Sequence, residues 1–279
     1  MVVADRATVS PLQRWQRCLA VHPVQTLRAG GLDWPTVVAG RGERVVVLLP
    51  GALGLADTAF KWIEALAPRN TVVSLGIPAG VRCYPVFRTG FLGLLDALRA
   101  ERVALYGGSF GGEIALALVN DAPARFDTLV LADCRLPDRP MLPIRLIATA
   151  LDLLPEGAMT LTRRLTTEPV LRSMGEEQPF WRNYFRRAER TVTAADLLDR
   201  LWLWVDVNEQ PPVSLARWRG RVLLLESTAD WFFGERQRRA LRNALPGARV
   251  VELDGLDHAA AMERPEQHLA EVERFLGGE

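Results

Sequence analysis

The stretch Val103–Gly112 reads VALYGGSFGG. It begins as an apolar run of strand length, passes through the G-x-S-x-G pattern of Gly107–Gly111, and leads into an apolar segment of helical character, Ile114–Val119. A strand, this turn and a helix in that order form a nucleophile elbow, in which the serine is held at strained backbone angles. Side chains at the flanking positions would collide in so tight a turn, which explains the glycines there. The pattern predicts that the Ser109 hydroxyl projects above the edge of a sheet as a nucleophile.

Length and composition fit one large α/β domain, with or without an insertion, because the chain has 279 residues and 49% of them are hydrophobic. The formal net charge is only +1, from 34 basic and 33 acidic residues. No net field therefore attracts nucleic acid or an anionic membrane. Neither kind of partner is expected.

Cysteine usage and the N-terminal residues indicate a cytoplasmic protein. The three cysteines are far apart and show no C-x-x-C pair, so a disulfide framework is not expected. The first residues lack the features of a signal peptide, and no apolar run of about 18 residues could span a bilayer.

Strand-like runs alternate with helix-period segments, which predicts a mostly parallel, twisted sheet flanked by helices. The predicted strands are Val45–Leu49, Thr71–Leu75, Val103–Tyr106, Thr128–Ala132, Val222–Leu225 and Arg249–Leu253. The predicted helices between and after them are Ala56–Ala67, Val86–Ala100, Gly112–Asn120, Glu235–Ala244 and Pro265–Leu276.

The alternation stops between about Leu136 and Leu215, where short helical patterns such as Ile144–Leu154 and Ala194–Val205 replace the strands. This predicts a helical cap at residues 136–215, inserted between a first core part at 1–135 and a second at 216–279. Aromatic residues of the cap can form its own core, line a substrate pocket or, where exposed, form a homodimer surface. We expect most of them to be core. They are Phe180, Trp181, Tyr184, Phe185, Trp202 and Trp204.

A serine nucleophile needs a base beside it, and the chain has three histidines. His22 precedes the first predicted strand, and His268 lies among polar neighbours that suggest a solvated helix face. His258 follows the last predicted strand on a loop, where an open parallel sheet presents its functional groups. His258 is therefore the predicted base.

The base needs a carboxylate to orient it, and two aspartates follow strands at the same edge of the sheet. Asp230 comes after Val222–Leu225, and Asp133 comes after Thr128–Ala132. The order serine, aspartate, histidine favours Asp230. Asp133 remains the alternative.

Backbone amides must stabilise the negative charge that develops on the attacked carbonyl oxygen. Phe110 directly follows the nucleophile and can supply one amide. The glycine-rich loop Pro50–Gly54 can supply the second through Ala52, although it could also be an ordinary turn. Together with the elbow, the oxyanion hole is the preferred interpretation.

These motifs resemble the α/β-hydrolase superfamily over most of the chain, from about Val45 to Phe275. Pro50–Gly54 stands where many members have His-Gly, and Gly107–Gly111 stands at the elbow. Proline in place of that histidine affects the expected hydrogen bonding of the oxyanion loop. The first half is also similar to maspardin-type members, which are discussed more as binding proteins than as enzymes.

The resemblance and the residues together predict a serine hydrolase with no metal and no cofactor. It would cleave a carboxylic ester, lactone or thioester of a small to medium apolar molecule, bound near Leu53, Trp231 and Phe232. Hydrolysis of carbon–carbon bonds and acyl transfer use the same triad and stay open. A non-catalytic interaction protein on this fold is the alternative from another class.

Overall fold

The computed structural model describes residues 9–137, 141–153, 171–172, 174–216 and 218–278. The strands are β1 (Gln25–Ala29), β2 (Leu32–Ala39), β3 (Val45–Leu49), β4 (Thr71–Leu75), β5 (Val103–Gly108), β6 (Phe126–Ala132), β7 (Arg221–Ser227) and β8 (Arg249–Leu253). They form one sheet in the order β1-β2-β4-β3-β5-β6-β7-β8. The pairs β1/β2 and β2/β4 are antiparallel, and every other neighbouring pair is parallel.

Helices pack on both faces of this sheet. They are α1 (Pro11–Val21), α2 (Phe60–Leu66), α3 (Tyr84–Ala97), α4 (Phe110–Asp121), α5 (Leu142–Asp152), α6 (Gln178–Ala188), α7 (Ala194–Glu209), α8 (Glu235–Ala244), α9 (Ala260–Glu263) and α10 (Glu266–Gly277). The predicted fold class, a mostly parallel sheet flanked by helices, is confirmed. Among the described residues, none of these helices has the length and apolar character needed to cross a bilayer.

Strand β3 illustrates why the sheet is covered on both sides. Val47 and Leu49 belong to one hydrophobic cluster, whereas Val46 and Leu48 belong to the cluster on the opposite face. Successive side chains of a strand point to opposite faces, so an unbroken apolar run requires apolar layers on both.

All six predicted strands are present, but the sheet begins with a hairpin that the sequence reasoning missed. β1 and β2 pair antiparallel through the two-residue turn Gly30–Gly31. Both glycines have positive φ, 58° and 80°, as a type I′ hairpin turn requires. The hairpin extends the sheet beyond β4 and leaves the parallel core unchanged.

Helices α5, α6 and α7 lie between β6 and β7, inside the predicted insertion. The helix predicted at Ile144–Leu154 corresponds to α5, and Leu154 lies outside the described residues. α7 continues beyond the predicted Val205 to Glu209 and packs against α3, α4 and α5. The domain boundaries at 135/136 and 215/216 stay predictions.

The turn from β5 into α4 is so tight that only glycine fits at several positions. A Cβ on Gly107 would lie 2.3 Å from the carbonyl oxygen of Gly111, and a Cβ on Gly112 would lie 2.5 Å from the Cβ of Cys134. Ser109 itself has φ 51° and ψ −125°, a conformation that costs energy for any residue with a side chain. Close packing around the turn compensates for this strain.

We expect Gly107→Ala to lower the free energy of unfolding by more than about 3 kcal/mol, since the new methyl group would overlap backbone rather than a movable side chain. Urea unfolding followed by circular dichroism measures this. Gly247→Ala is the matched control, because a Cβ there meets no atom within 4 Å. Equal stability of the two variants would contradict the proposed steric requirement.

Candidate active site

Three side chains from three different loops meet at the carboxyl edge of the sheet. Ser109 follows β5, Asp230 follows β7 and His258 follows β8. Nε2 of His258 lies 3.0 Å from Oγ of Ser109, and Nδ1 of His258 lies 3.0 Å from Oδ2 of Asp230. The residues predicted as nucleophile, base and acid are therefore within hydrogen-bond distance of one another, in the expected order.

Backbone hydrogen bonds fix the acid loop relative to the base loop. The amide of Thr228 donates to the carbonyl of Leu253 at 3.1 Å, and the amide of Ala229 donates to the carbonyl of Leu256 at 2.9 Å. These bonds extend the β7–β8 pairing past the ends of the strands. The separation between Asp230 and His258 is consequently set by the backbone.

The other carboxylate oxygen of Asp230 is hydrogen-bonded to the backbone. Oδ1 accepts hydrogen bonds from the amides of Phe232 at 2.6 Å and Phe233 at 3.0 Å. With Oδ1 occupied in this turn, Oδ2 faces His258. The two amides thus orient the carboxylate toward the imidazole.

Aromatic rings surround the imidazole of His258. Phe232 stacks on it with ring centroids 5.0 Å apart, and Phe233 meets it edge-on at 5.3 Å. In the tautomer that satisfies both polar contacts, Nδ1–H donates to Asp230 and the Nε2 lone pair accepts from the Ser109 hydroxyl. The rings limit rotation of the imidazole, and the His258 side chain is 12% exposed.

Asp133, the alternative acid, has other partners. Its carboxylate accepts from the amide of Ser227 at 2.7 Å and from the hydroxyl of Ser227 at 2.9 Å. Nε2 of His268 lies 3.4 Å from the same carboxylate. His268 is fully buried, so its expected position on a solvated helix face is wrong. Asp133 and His268 thus join β6, β7 and α10.

The two predicted oxyanion donors lie on adjoining segments. Phe110 is the first residue of α4, where backbone N–H groups have no partner within the helix. Ala52 lies in a turn closed by a 2.9 Å hydrogen bond from the amide of Gly54 to the carbonyl of Gly51. A Cβ on Gly111 would lie 2.8 Å from the carbonyl oxygen of Pro50, so loop and helix are in close contact.

A cavity of about 650 Å³ opens onto these residues. Its lining includes Ser109, His258, both predicted oxyanion donors and the three predicted pocket residues, Leu53, Trp231 and Phe232. Trp231 and Phe232 are half-exposed and form part of its rim. Among the aromatic residues of the predicted cap, Trp181, Tyr184 and Phe185 are buried in a hydrophobic cluster. Phe185 also lines the cavity, as does Trp204.

Sequence reasoning missed a buried carboxylate in the cavity wall. Glu113 lies one helical turn after Ser109 and contacts Arg135, with Nε 3.2 Å from Oε1. Burial raises the pKa of Glu113 from its ordinary value of 4.5 to about 7, although Arg135 and hydrogen bonds from Asn208 and Trp204 act in the opposite direction. The one signal in the sequence is an acidic residue at the start of an otherwise apolar helix.

The arrangement has the parts needed for nucleophilic attack on a carbonyl group. Ser109 has a base within reach, the base has an oriented carboxylate, and two amide-bearing segments adjoin the nucleophile. The cavity beside them is lined mainly by apolar side chains. A neutral, largely apolar molecule with one reactive carbonyl fits this environment.

Comparison with known proteins identifies the same architecture elsewhere. A model of the alpha/beta hydrolase family matches residues 18–271. Among solved structures, the enol-lactonase from Burkholderia xenovorans LB400 superposes with a TM-score of 0.72 at 18% identity, covering 91% of this chain and all of that one. At this identity the likeness concerns the fold.

Two curated relatives are similar in sequence. Rhodomycin D methylesterase DauP from Streptomyces sp. is 30% identical over 198 residues, which are 61% of this chain and 65% of DauP. Polyketide synthase ThaQ from Burkholderia thailandensis is 30% identical over 271 residues, which are 88% of this chain but only 12% of ThaQ. The chain thus spans a small part of ThaQ and slightly under two thirds of DauP.

We expect Asp230→Asn to lower kcat by about 10³- to 10⁴-fold, because an amide cannot stabilise the imidazolium or hold the same tautomer. Asp133→Asn should lower kcat less than about 10-fold while lowering the melting temperature, because it disturbs a buried anchor of β7. Ester hydrolysis and thermal unfolding of both variants provide the comparison. The reverse ranking of kcat would assign the acid to Asp133.

Proposed function

The chain belongs to the alpha/beta hydrolase family, and on this basis we propose that it is a serine hydrolase acting on a carboxylic ester or a related acyl bond. The supporting observation is the pair of 3.0 Å contacts that joins Asp230 to His258 and His258 to Ser109. A lone serine hydroxyl is a poor nucleophile at neutral pH, and His258 is placed to remove its proton as it attacks.

In the first half of the proposed reaction, Oγ of Ser109 attacks the acyl carbon and its proton passes to Nε2 of His258. Asp230 stabilises the resulting imidazolium. The carbonyl electron pair moves onto oxygen, where the amides of Ala52 and Phe110 stabilise the negative charge. When the tetrahedral intermediate collapses, the bond to the leaving group breaks and the leaving group takes the proton from His258.

The second half repeats these steps with water. His258 removes a proton from a water molecule, whose oxygen attacks the acyl carbon bound to Ser109. Collapse of the second tetrahedral intermediate releases the carboxylic acid and returns the proton to Oγ of Ser109. The enzyme ends in its starting state, with no cofactor consumed.

The cavity supports an apolar acyl group of medium size. Its volume of about 650 Å³ lies in the middle of the range for small-molecule sites. The relative DauP is named a methylesterase, which agrees with ester hydrolysis. Lactones and thioesters would react through the same steps. A cytoplasmic location and a homodimer stay predictions.

Two other chemistries use the same three side chains. In acyl transfer, an alcohol, amine or thiol replaces water in the second half, and in carbon–carbon hydrolysis a carbanion leaves instead of an alkoxide. The maspardin-like alternative, a binding protein without turnover, would leave Ser109 unreactive. Labelling of Ser109 therefore separates the catalytic proposals from the binding proposal.

We expect a fluorophosphonate probe to label the wild-type protein at Ser109, since the probe reacts with serines that a base has activated. Ser109→Ala and His258→Ala should both lose the label and ester hydrolysis. His22→Ala is the matched control, because His22 follows the last residue of helix α1 and is not part of the cavity lining, so this variant should label normally.

Labelling is measured by mass spectrometry on folded protein, with circular dichroism as the check on folding. A folded wild type that neither labels nor hydrolyses any ester would support the binding protein instead. Labelling that persists in His258→Ala would show that another group activates Ser109.

Among p-nitrophenyl esters of graded acyl length, we expect the highest kcat/KM at about six to ten carbon atoms, because the cavity offers extensive apolar surface. Leu151→Trp should shift the optimum to shorter chains by filling the cavity. Leu146→Trp on the exposed side of the same helix is the control, since Leu146 is 61% exposed. An optimum at acetate in the wild type would contradict the assignment of the cavity to the acyl group.

A further inference from the structure

Three polar or aromatic side chains on one face of helix α7 contact the segments that carry the two proposed oxyanion donors. Arg200, Trp204 and Asn208 are spaced four residues apart, so they lie above one another along the helix. Arg200 contacts the Pro50–Gly54 loop, and the other two contact Glu113 on α4. The two segments are thus joined through a single helix of the insertion.

Arg200 holds the loop that contains Ala52. The guanidinium is buried, with Arg200 only 8% exposed, and Nη1 donates to the carbonyl oxygen of Leu53. It also packs on Gly54, where a Cβ would lie 2.5 Å from Nε of Arg200. Gly54 has φ 62° and closes the turn through its amide. Arg200 therefore fixes the residue that follows Ala52 and the glycine after it.

Glu113 provides the equivalent connection to α4. Nε1 of Trp204 donates to Oε2 of Glu113 at 2.9 Å, and Nδ2 of Asn208 donates to the same oxygen. Arg135 completes the group, since its Nη2 donates to Oδ1 of Asn208 at 2.9 Å. Because Glu113 is in the first turn of α4, these bonds hold the helix end that begins with Phe110.

We infer that helix α7 sets the geometry of the oxyanion hole, and that Arg200 is a positioning residue for the amide of Ala52. The inference rests on the proposed function. An oxyanion hole stabilises charge only when its donors are already aimed at the developing oxygen. The loop Pro50–Gly54 contains two glycines, which leave its backbone flexible. The guanidinium of Arg200 holds this backbone by donating to the carbonyl oxygen of Leu53.

Contacts on other parts of α7 hold it to the core without Arg200. Asp199 accepts from the amide of Gly80 at 3.0 Å, and Asp206 accepts from the amide of Tyr84 at 2.7 Å. The second bond supplies the N-terminus of α3 with a hydrogen-bond acceptor. Loss of the Arg200 guanidinium should therefore leave α7 in place while the Pro50–Gly54 loop gains freedom.

The test compares Arg200→Met with wild type on a neutral ester, p-nitrophenyl butyrate. We expect kcat to fall about 10- to 100-fold with KM changed less than about 2-fold, since a displaced donor weakens the transition state more than the ground state. The inhibition constant of a trifluoromethyl ketone, which forms an oxyanion on Ser109, should rise by the same factor as kcat/KM falls.

Arg145→Met is the matched control. Arg145 is also a cap arginine, but its ion pair with Glu209 is exposed and joins α5 to α7 without touching the Pro50–Gly54 loop. Its kinetic constants and its affinity for the ketone should equal those of the wild type. A similar loss in both variants would mean that any loosening of the cap lowers activity, and would overturn the specific role of Arg200.

Arg200→Lys covers the case in which Arg200→Met does not fold, as judged by circular dichroism and thermal unfolding. Lysine keeps the charge and can still reach a carbonyl, but with a single ammonium group, so kcat should fall by a smaller factor in the same direction. Unchanged kcat in either folded variant overturns the inference.

Two further outcomes would also overturn it. If KM rises while kcat holds, Arg200 contributes only to substrate binding. If Arg200→Met loses activity on p-nitrophenyl hydrogen succinate but keeps it on p-nitrophenyl butyrate, Arg200 binds an anionic group of the substrate.

A wild type without labelling or turnover would overturn the proposed function and this inference together. An active wild type with an equally active Arg200→Met would overturn the inference alone.

Discussion

The close approach of helix α4 to strand β5 is the constraint on which the rest of the structure depends. It exists because residues 107, 111 and 112 have no side chains, so backbone meets backbone where a methyl group would not fit. The approach forces Ser109 into a positive φ and directs its hydroxyl away from the sheet. It also brings the first turn of α4 against the Pro50 carbonyl. The nucleophile and both proposed oxyanion segments are therefore placed by one packing contact, and the loops after β7 and β8 need only bring the acid and the base to that point.

Those two loops are held to each other by backbone hydrogen bonds. Thr228 and Ala229 continue the pairing of β7 with β8 beyond the strand ends, so the backbone brings Asp230 close to His258. The cavity wall is different, because its polar contacts join residues that are far apart in the chain. Glu113 is an example. Burial disfavours its ionised form and raises its pKa to about 7, while Trp204, Asn208 and Arg135 provide hydrogen bonds to its carboxyl group.

The sequence was sufficient to predict the parallel strands of the sheet and to select Ser109, Asp230 and His258. Each buried strand is a run of apolar residues, and each of Ser109, Asp230 and His258 follows such a run within about five residues. The β1–β2 hairpin was missed because β1 is largely exposed and β2 contains Pro35, so neither forms an apolar run; Gly30–Gly31 was the available signal. His268 was misjudged because its neighbours are polar, whereas its partner Asp133 is 135 residues away. The bond from Arg200 to Leu53 spans 147 residues and has no local signal at all.

Helix α7 lies along the carboxyl edge of the sheet, where Arg200 contacts the loop after β3 and Asn208 contacts the first turn of α4. Strands β6 and β7 pair in parallel, so the chain must return to the opposite edge of the sheet before β7 begins. Residues that follow α7 are at that edge, since the amide of Ser214 donates to Oδ1 of Asn120 near the end of α4 and Nε1 of Trp218 donates to the carbonyl of Phe126 at the start of β6. Hydrogen bonds of Asp199 and Asp206 with the amides of Gly80 and Tyr84 attach α7 to the core, in addition to those of Arg200 and Asn208. The wall of the cavity that α7 forms therefore belongs to the same packed unit as α3 and α4.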